Sequence, residues 1–366
     1  MALKAAFVGY QFMGEAHANA LDRLEMFFPE APEVEREVVV GRDEEALREA
    51  ADRFDFARTA TDWEAVLEEV DVLYNLTPNH LHAEPSIAAL EQDVHVLCEK
   101  PLSTDLESAK RMAEAARASD AVAGCGFNYR FVPAIRYAKN LIEAGEIGEV
   151  THFRGRYLQD WLLDPDAPWD WHVSEDLAGS GPLGDIGSHS IDLAHYLVGE
   201  IDAVSGQLRR FVEERTPEGE DDPRPVTVED AVTAELDFAN GAVGTVEATR
   251  FAPGHKNDQT IEIHGREGSI KFELERLNEL QVLREGNRGY ETILVTDDDD
   301  PYIEHWFQLS GLVLGWEHSV VHENYEFLTA IDEGEAFAPS FQDGLAVQRV
   351  TDAIQESDER REWVEL

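Results

Sequence analysis

The stretch "KAAFVGYQFMGEAHANAL", Lys4–Leu21, decides how the first part of the chain is read. "KAAFVG" has the pattern of a buried strand, and "MGEAHANALDRL" that of a helix. A glycine-rich turn between strand and helix is how an α/β sheet cradles a dinucleotide. In that fingerprint, Gly-x-Gly-x-x-Gly, the first glycine makes the tight turn. The second lets backbone approach the pyrophosphate, and the third packs helix on strand. Here the three positions are Gly9, Gln11 and Gly14, with Phe12 and Met13 completing the loop. The turn and the packing glycine are kept. Gln11 puts a side chain at the close-approach position, which is tolerable if its φ is negative and the side chain points away. The phosphate still meets free N–H groups at a helix N-terminus.

Reading outward, the strand–helix rhythm continues. "EREVVVG" is a second strand, followed by the helix "DEEALREAADRF". "VDVLYNLTP", "DVHVLCEKP" and "AVAGCGFN" are further strands, separated by the helices "LHAEPSIAAL" and "ESAKRMAEAARA". Short loops between such elements predict a parallel sheet covered on both faces. The end of the second strand bears on which dinucleotide binds, because an acid there accepts hydrogen bonds from the ribose 2′-hydroxyl of NAD. In "VVVGRDEE", Gly41 stands at the acid position and Arg42 follows. A glycine removes the repulsion and an arginine meets a 2′-phosphate, which favours NADP over NAD. The adjacent Asp43 keeps NAD open.

After about residue 128 the rhythm changes. The helix "PAIRYAKNLIEAGEIG" leads into alternating strands: "VTHFRGRYL", "AVSGQLRRFV", "DAVTAELDF", "GAVGTVEATRF", "QTIEIHGREGSIKFELE" and "ELQVLRE". Asn240-Gly241 between two alternating runs predicts a hairpin. The expected fold is α/β. A dinucleotide-binding domain with a parallel sheet spans residues 1–127. An α/β domain with a large, open, mostly antiparallel sheet spans 128–366.

With 366 residues the chain is long enough for two domains. Asp and Glu number 76 against 30 Lys and Arg, a formal net charge of −46, and the acids are spread along the whole sequence. Such a polyanion excludes nucleic acid as a partner. It points to a cell with molar salt, where the Debye length falls to about 3 Å and surface acids repel weakly. No apolar run is long enough to span a bilayer, and no signal-peptide pattern is present. The two cysteines, Cys98 and Cys125, lie in no CxxC or CxxH arrangement. A soluble, cytoplasmic protein with no membrane partner is expected.

Two constellations carry chemistry. "CEKP" puts Lys100 just past the fourth strand of this reading, at the carboxyl edge where ligands sit in an open α/β sheet. The chain has almost abolished lysine, so one at that edge stands out. "GSGPLGDIGSHSIDLAHYLVG" predicts a helix from near Pro182 to Leu197, ended by Gly199. Asp185 and His189 are i and i+4 on it, so a carboxylate shares a face with an imidazole and raises its basicity. Asp192 and His195 continue the polar pattern and fit a structural role as well. A metal site of Asp185, His189 and His172 has no HExxH or cysteine cluster to support it, and none is expected. Tyr157, Trp161, Trp169 and Trp171 crowd the stretch before this helix. They suit either the C–H faces of a sugar, with Gln159 and Asp160 on its hydroxyls, or a core corner.

In order, "GYQFMG", "TPNHLH" at Thr77, "CEKPLS" at Cys98, "GFNYR" at Gly126 and "GDIGSHSID" at Gly184 resemble the glucose–fructose oxidoreductase/inositol dehydrogenase (Gfo/Idh/MocA) family over essentially the whole chain. "YLQDW" at Tyr157, with the segment that follows, is most similar to its levoglucosan dehydrogenase branch. The resemblance implies an N-terminal Rossmann domain, a C-terminal sheet domain and assembly as a homodimer or homotetramer. It implies Lys100, Asp185 and His189 as the catalytic set. Thr77, Pro78, Asn79 and His82, with Glu99 and Asn128, would serve the cofactor. Arg130, Tyr157, Gln159 and Trp161 would face the substrate. The implied activity is dehydrogenation of a sugar or cyclitol hydroxyl with a nicotinamide cofactor. A cofactor-assisted glycoside hydrolase of the same fold and a non-catalytic NADP-binding sensor stay open as alternatives.

Overall fold

The computed structural model describes residues 2–366. The described residues divide into two compact units: one of residues 2–131 with 315–345, the other of residues 132–314 with 346–366.

The first unit begins with β1 (Leu3–Val8), α1 (Phe12–Phe27), β2 (Val34–Val40), α2 (Glu44–Phe54) and β3 (Arg58–Ala60). It continues with β4 (Val72–Asn75), α3 (Ala83–Leu90), β5 (His95–Cys98), α4 (Leu106–Ala118) and β6 (Ala123–Cys125). Its six strands form one parallel sheet in the order β3-β2-β1-β4-β5-β6. The order reverses between β1 and β4, and ligands of open α/β sheets sit at the carboxyl ends of strands at such a point. Ala5 to Val8 are all buried, as a strand covered on both faces requires. Phe7 packs on Tyr74 and Phe56 at ring-centroid distances of 4.7 and 4.9 Å. Burying such a ring stabilises the fold by about 2–3 kcal/mol.

The sequence reading of five strands here misses β3. It is three residues long, at the edge, and too short for alternation to show. Residues 315–345, which that reading places with the second domain, include a helix that packs against α1 in the first unit.

The second unit opens with α5 (Pro133–Glu143), β7 (Val150–Leu158) and the single-turn α6 (Glu175–Ala178). A π-helical turn, Leu183–Gly187, then runs directly into α7 (Ser188–Leu197). The remaining elements are β8 (Ile201–Arg209), β9 (Glu214–Arg215), β10 (Arg224–Pro225), β11 (Ala231–Phe238), β12 (Val243–Thr249), β13 (Asp258–Gly265), β14 (Ser269–Glu273), β15 (Glu279–Leu283) and β16 (Glu291–Leu294). After α8 (Glu317–Glu333), which belongs to the first unit, α9 (Phe341–Arg360) and β17 (Val364–Glu365) end the chain.

Nine strands form one sheet in the order β16-β15-β14-β13-β7-β12-β11-β8-β17. Only the β7–β12 pair is parallel. Burial alternates residue by residue along β11 and β12, so one face is packed and the other open. The expected hairpin joins these two strands. Gly241 takes φ +85°, and the Asn240 side chain accepts from the Ala242 N–H at 3.0 Å. The packed face carries α7, and Gly155 of β7 makes room for it. A Cβ there would stand 3.0 Å from the Cβ of Ser190. Among the described residues, no helix is long and apolar enough to cross a membrane.

Candidate active site

The turn after β1 has the shape the fingerprint demands. Gly9 has φ +102°, and a Cβ on it would fall 2.5 Å from the Leu76 carbonyl oxygen. Gly14 is buried, with room for a Cβ only 3.1 Å from the Gly9 carbonyl oxygen. Gln11 has φ −81°, is exposed, and makes no side-chain cap to α1. The first intrahelical bond runs from the Glu15 N–H to the Gln11 carbonyl. The N–H groups of Phe12, Met13 and Gly14 thus lie in the turn whose donors an α-helix leaves open. These features fit a pyrophosphate, and Gln11 costs the cradle none of its backbone donors.

At the end of β2, Gly41 is closed off. A Cβ on it would meet the Tyr10 ring at 2.4 Å. Asp43 caps α2, its Oδ1 accepting from the N–H groups of Glu45 and Ala46 at 3.0 and 3.2 Å. Arg42 is exposed.

The segments after β4 and β5 are tied together. His82 is fully buried, with Nδ1 3.0 Å from the Pro101 carbonyl and Nε2 2.8 Å from the Thr77 carbonyl. Burial holds its pKa below the ordinary imidazole range, against the carbonyls and the charge of Glu99. The resemblance assigns His82 to the cofactor. Each ring nitrogen faces a backbone carbonyl, and the neutral imidazole that burial favours has one N–H to donate to them. The Thr77 hydroxyl donates to Asn75 at 2.7 Å, and Pro78 leads into a short 3₁₀ turn containing the buried Asn79.

Glu99 is buried beside Lys100. Its Oε2 accepts from the Lys100 N–H at 3.2 Å and its Oε1 faces His17 Nε2 at 3.2 Å. His17 Nδ1 in turn stands 2.9 Å from Asn324 Nδ2. An amide NH₂ can only donate, so His17 carries its proton on Nε2 and gives it to Glu99. Glu99 therefore supports the backbone that carries Lys100, which is half-buried after β5.

Asn128 and Arg130 were also assigned to ligands by resemblance. Both are buried. Asn128 donates to the Ser319 hydroxyl at 2.8 Å, and Arg130 pairs with Asp343 at 3.1 Å. Burial pushes the Asp343 carboxyl up, but Arg130 and Ser340 outweigh it and hold it below the usual range.

In the second unit, the continuous helix expected from Pro182 begins as the π-turn 183–187. A π-turn has more than 3.6 residues per turn, so Asp185 and His189 are not related as i and i+4 of a regular α-helix. Glu229 holds its start. Its two carboxylate oxygens accept from the N–H groups of Gly181 and Leu183, each at 2.9 Å. Burial raises the Glu229 carboxyl pKa, opposed by these N–H groups and by Arg250. Gly181 is obligatory, since a Cβ there would fall 2.0 Å from the Glu229 carbonyl oxygen. Asp185 accepts from Arg250 Nη1 at 3.3 Å. His189 is buried, its ring 6.2 Å from that of Tyr157.

Tyr157 donates its hydroxyl to Asn257 Oδ1 at 2.7 Å, and Gln159 Nε2 donates to the same oxygen at 2.9 Å. Trp161 Nε1 then donates to Gln159 Oε1 at 2.8 Å, leaving its ring 43% exposed. This chain of hydrogen bonds fixes the orientation of Trp161. Trp171 stacks on His172 at 3.8 Å. Trp169 takes the core-corner reading: it packs on Leu162, Val173, Val226 and Val228, and donates to the Pro225 carbonyl at 3.0 Å. Asp160 pairs with Lys256 at 2.8 Å. Asp192 is buried in α7 and His195 half-buried.

Sequence reasoning missed Asn257, Glu229, Arg250 and Arg215. The last is buried and donates to the carbonyls of Leu162, Asp164 and Ala167 at 2.7–3.0 Å. None stands in a motif. Only the scarcity of basic residues could have drawn attention to the two arginines.

The Gly9 geometry makes a prediction. Gly9→Ala forces a Cβ into the left-handed region and into the Leu76 carbonyl. It is expected to cost about 1–3 kcal/mol in stability and to weaken dinucleotide binding at least about tenfold. Urea unfolding and calorimetric titration measure both; unchanged affinity would show that the turn is not the cradle.

Comparison with known proteins agrees with this geometry. Residues 3–127 match the model of the "Oxidoreductase family, NAD-binding Rossmann fold", and residues 135–271 that of the "GFO/IDH/MocA C-terminal domain". The chain is 43% identical to levoglucosan dehydrogenase of Pseudarthrobacter phenanthrenivorans, covering 100% of this chain and 98% of that one. It is 30% identical over 245 residues to D-xylose 1-dehydrogenase [NADP(+)] of Haloarcula marismortui, 65% of each chain. A solved structure of levoglucosan dehydrogenase in complex with NADH superposes with a TM-score of 0.97, at 43% identity, over 100% of this chain and 99% of that one. A parallel sheet whose first turn is built on Gly9 and Gly14, a nine-stranded second sheet and similarity along the whole length place the chain in the Gfo/Idh/MocA family of NAD-binding oxidoreductases.

Proposed function

We propose that the protein oxidises a hydroxyl of a sugar or cyclitol, passing the carbon-bound hydrogen as hydride to NADP⁺ in preference to NAD⁺. The observation that carries this reading is the second-unit arrangement. A carboxylate and a buried histidine lie on one short helical segment, and an exposed Trp161 is fixed by the Tyr157–Asn257–Gln159 chain. An exposed indole suits the C–H face of a pyranose, and fixed amides suit its hydroxyls.

In this mechanism His189 takes the hydroxyl proton as general base while Asp185 orients the imidazole and favours its protonated form. Lys100 donates to the same oxygen and stabilises the charge that develops as the proton leaves. The bound nicotinamide supplies the hydride acceptor. The open N–H groups of Phe12, Met13 and Gly14 would hold its pyrophosphate. The likeness to levoglucosan dehydrogenase supports a pyranose or anhydrosugar as substrate.

Three features support NADP⁺. Tyr10 fills the space a residue-41 carboxylate would need, Asp43 is committed to capping α2, and Arg42 is exposed to meet a 2′-phosphate. The NADP(+) name of the xylose dehydrogenase relative agrees, whereas the NADH complex of the levoglucosan enzyme sets the competing expectation. We further propose a cytoplasmic protein working in molar salt, on the strength of the −46 charge, and a homodimer or homotetramer, as the family resemblance implies.

Initial rates in molar KCl with a panel of sugars, anhydrosugars and inositols test the reaction. No turnover by folded, cofactor-binding protein would overturn it in favour of the hydrolase or sensor. His189→Ala is expected to lower kcat by about 10²–10⁴; wild-type turnover would refute its role as base. kcat/KM with NADP⁺ is expected to exceed that with NAD⁺ by about tenfold, the worth of one charge-assisted bond. Arg42→Ala should erase the gap, and a wild-type preference for NAD⁺ would reverse the assignment. Raising KCl from about 0.1 M to about 1 M shortens the Debye length from about 10 to about 3 Å and should raise Tm. A flat or falling Tm would count against a molar-salt setting.

A further inference from the structure

Arg250 directly follows β12 and is the largest fully buried side chain of the molecule, with no exposed surface. A guanidinium keeps its charge at any working pH, so burying one is costly unless carboxylates and hydrogen-bond acceptors surround it. Its Nη1 donates to Asp185 Oδ2 at 3.3 Å, and its Nη2 to the His172 carbonyl at 3.3 Å. The guanidinium carbon lies 5.4 Å from the centre of the Trp161 ring, within cation–π range. The other charged groups acting on it or on its partners are Glu229, Asp170 and the like-charged Arg215. Of the carboxylates, Glu229 is spent on the N–H groups of Gly181 and Leu183, and Asp170 on His172. Asp185 is the carboxylate that takes a hydrogen bond from Arg250.

We propose that Arg250 is a positioning residue that couples the sugar platform to the proposed base. One rigid fork fixes the Asp185 carboxylate, the backbone at His172 and the underside of Trp161. Movement of the platform is therefore movement of the group that orients His189. The charge also sets how strongly Asp185 acts on His189, because a carboxylate shared with a guanidinium raises the basicity of its imidazole less than a free one. This inference rests on the proposed roles of Asp185 and His189, and needs no assignment of the sugar.

The test uses Arg250→Met and Arg250→Lys in the full-length protein. In Arg250→Met, kcat should fall up to about 100-fold through misplacement of the base. KM for the best sugar should rise as Trp161 loses its support, while dinucleotide affinity stays within about twofold. Arg250→Lys keeps the charge but not the fork. It should recover part of kcat and leave KM raised.

A readout that needs no turnover is the ring titration of His189, followed by NMR with labelled histidine and identified by its loss in His189→Gln. Its pKa should move up in Arg250→Met and return toward wild type in Arg250→Lys. If folded Arg250→Met keeps both kcat and the His189 titration, the proposal is overturned. If Arg250→Met does not fold, an Arg250→Lys protein with wild-type KM and kcat overturns it equally. Should the wild type turn over no sugar while the titration shifts as described, the dehydrogenase reading fails and the positioning role stands.

Discussion

A buried guanidinium needs a buried or half-buried carboxylate, and the second unit is organised around that demand. Arg250 draws together the π-turn bearing Asp185, the backbone at His172 and the ring of Trp161. Glu229, just before β11, the strand paired with the one that delivers Arg250, fastens the start of the same π-turn through Gly181 and Leu183. Arg215 does for the carbonyls of residues 162–167 what Arg250 does for residue 172. Two buried cations thus shape a loop that is too polar and too poor in regular structure to fold on hydrophobic contacts alone. Leu162, Val173, Val226 and Val228 form a small buried apolar anchor beneath it, with Ala167, Trp169, Val212 and Phe251 packed against them.

The first unit solves a different problem, that of exposing backbone donors at a sheet edge without leaving a disordered loop. Gly9 makes the turn by entering the left-handed region where no other residue fits against Leu76. The neighbouring segments are then braced from inside, by His82 between the Thr77 and Pro101 carbonyls and by the Asn324–His17–Glu99 relay under the Lys100 backbone. Residues assigned by resemblance to ligands divide accordingly. Gly9 and Gly14 shape the turn after β1, and Lys100 is half-buried after β5. His82, Glu99, Asn128 and Arg130 are buried and bonded within the first unit. A motif can be retained because it builds the walls of a site as well as because it touches what binds there.

The aromatic cluster shows the same division. Trp161 and Trp169 are eight residues apart and indistinguishable by composition. Trp161 is held open by Gln159, whereas Trp169 closes over valines and a backbone carbonyl. The difference depends on Asn257, nearly a hundred residues away, which receives both Tyr157 and Gln159.

The order and type of most elements were legible in the sequence. Strand and helix periods differ, glycines at 9, 14 and 241 have local geometric reasons, and the Asn240-Gly241 hairpin depends on nothing distant. The net charge and the absence of cysteine clusters are likewise properties of the chain alone. The tertiary structure decided what local pattern does not encode. It added the three-residue strand β3, brought residues 315–345 into the first unit, and replaced the first turn of the expected 182–197 helix by a π-turn. It also chose Asp185 as partner for Arg250. Each of these rests on burial or on a charge met far along the chain. A buried charge selects its partner by where the fold puts it, and no spacing rule in the sequence carries that information.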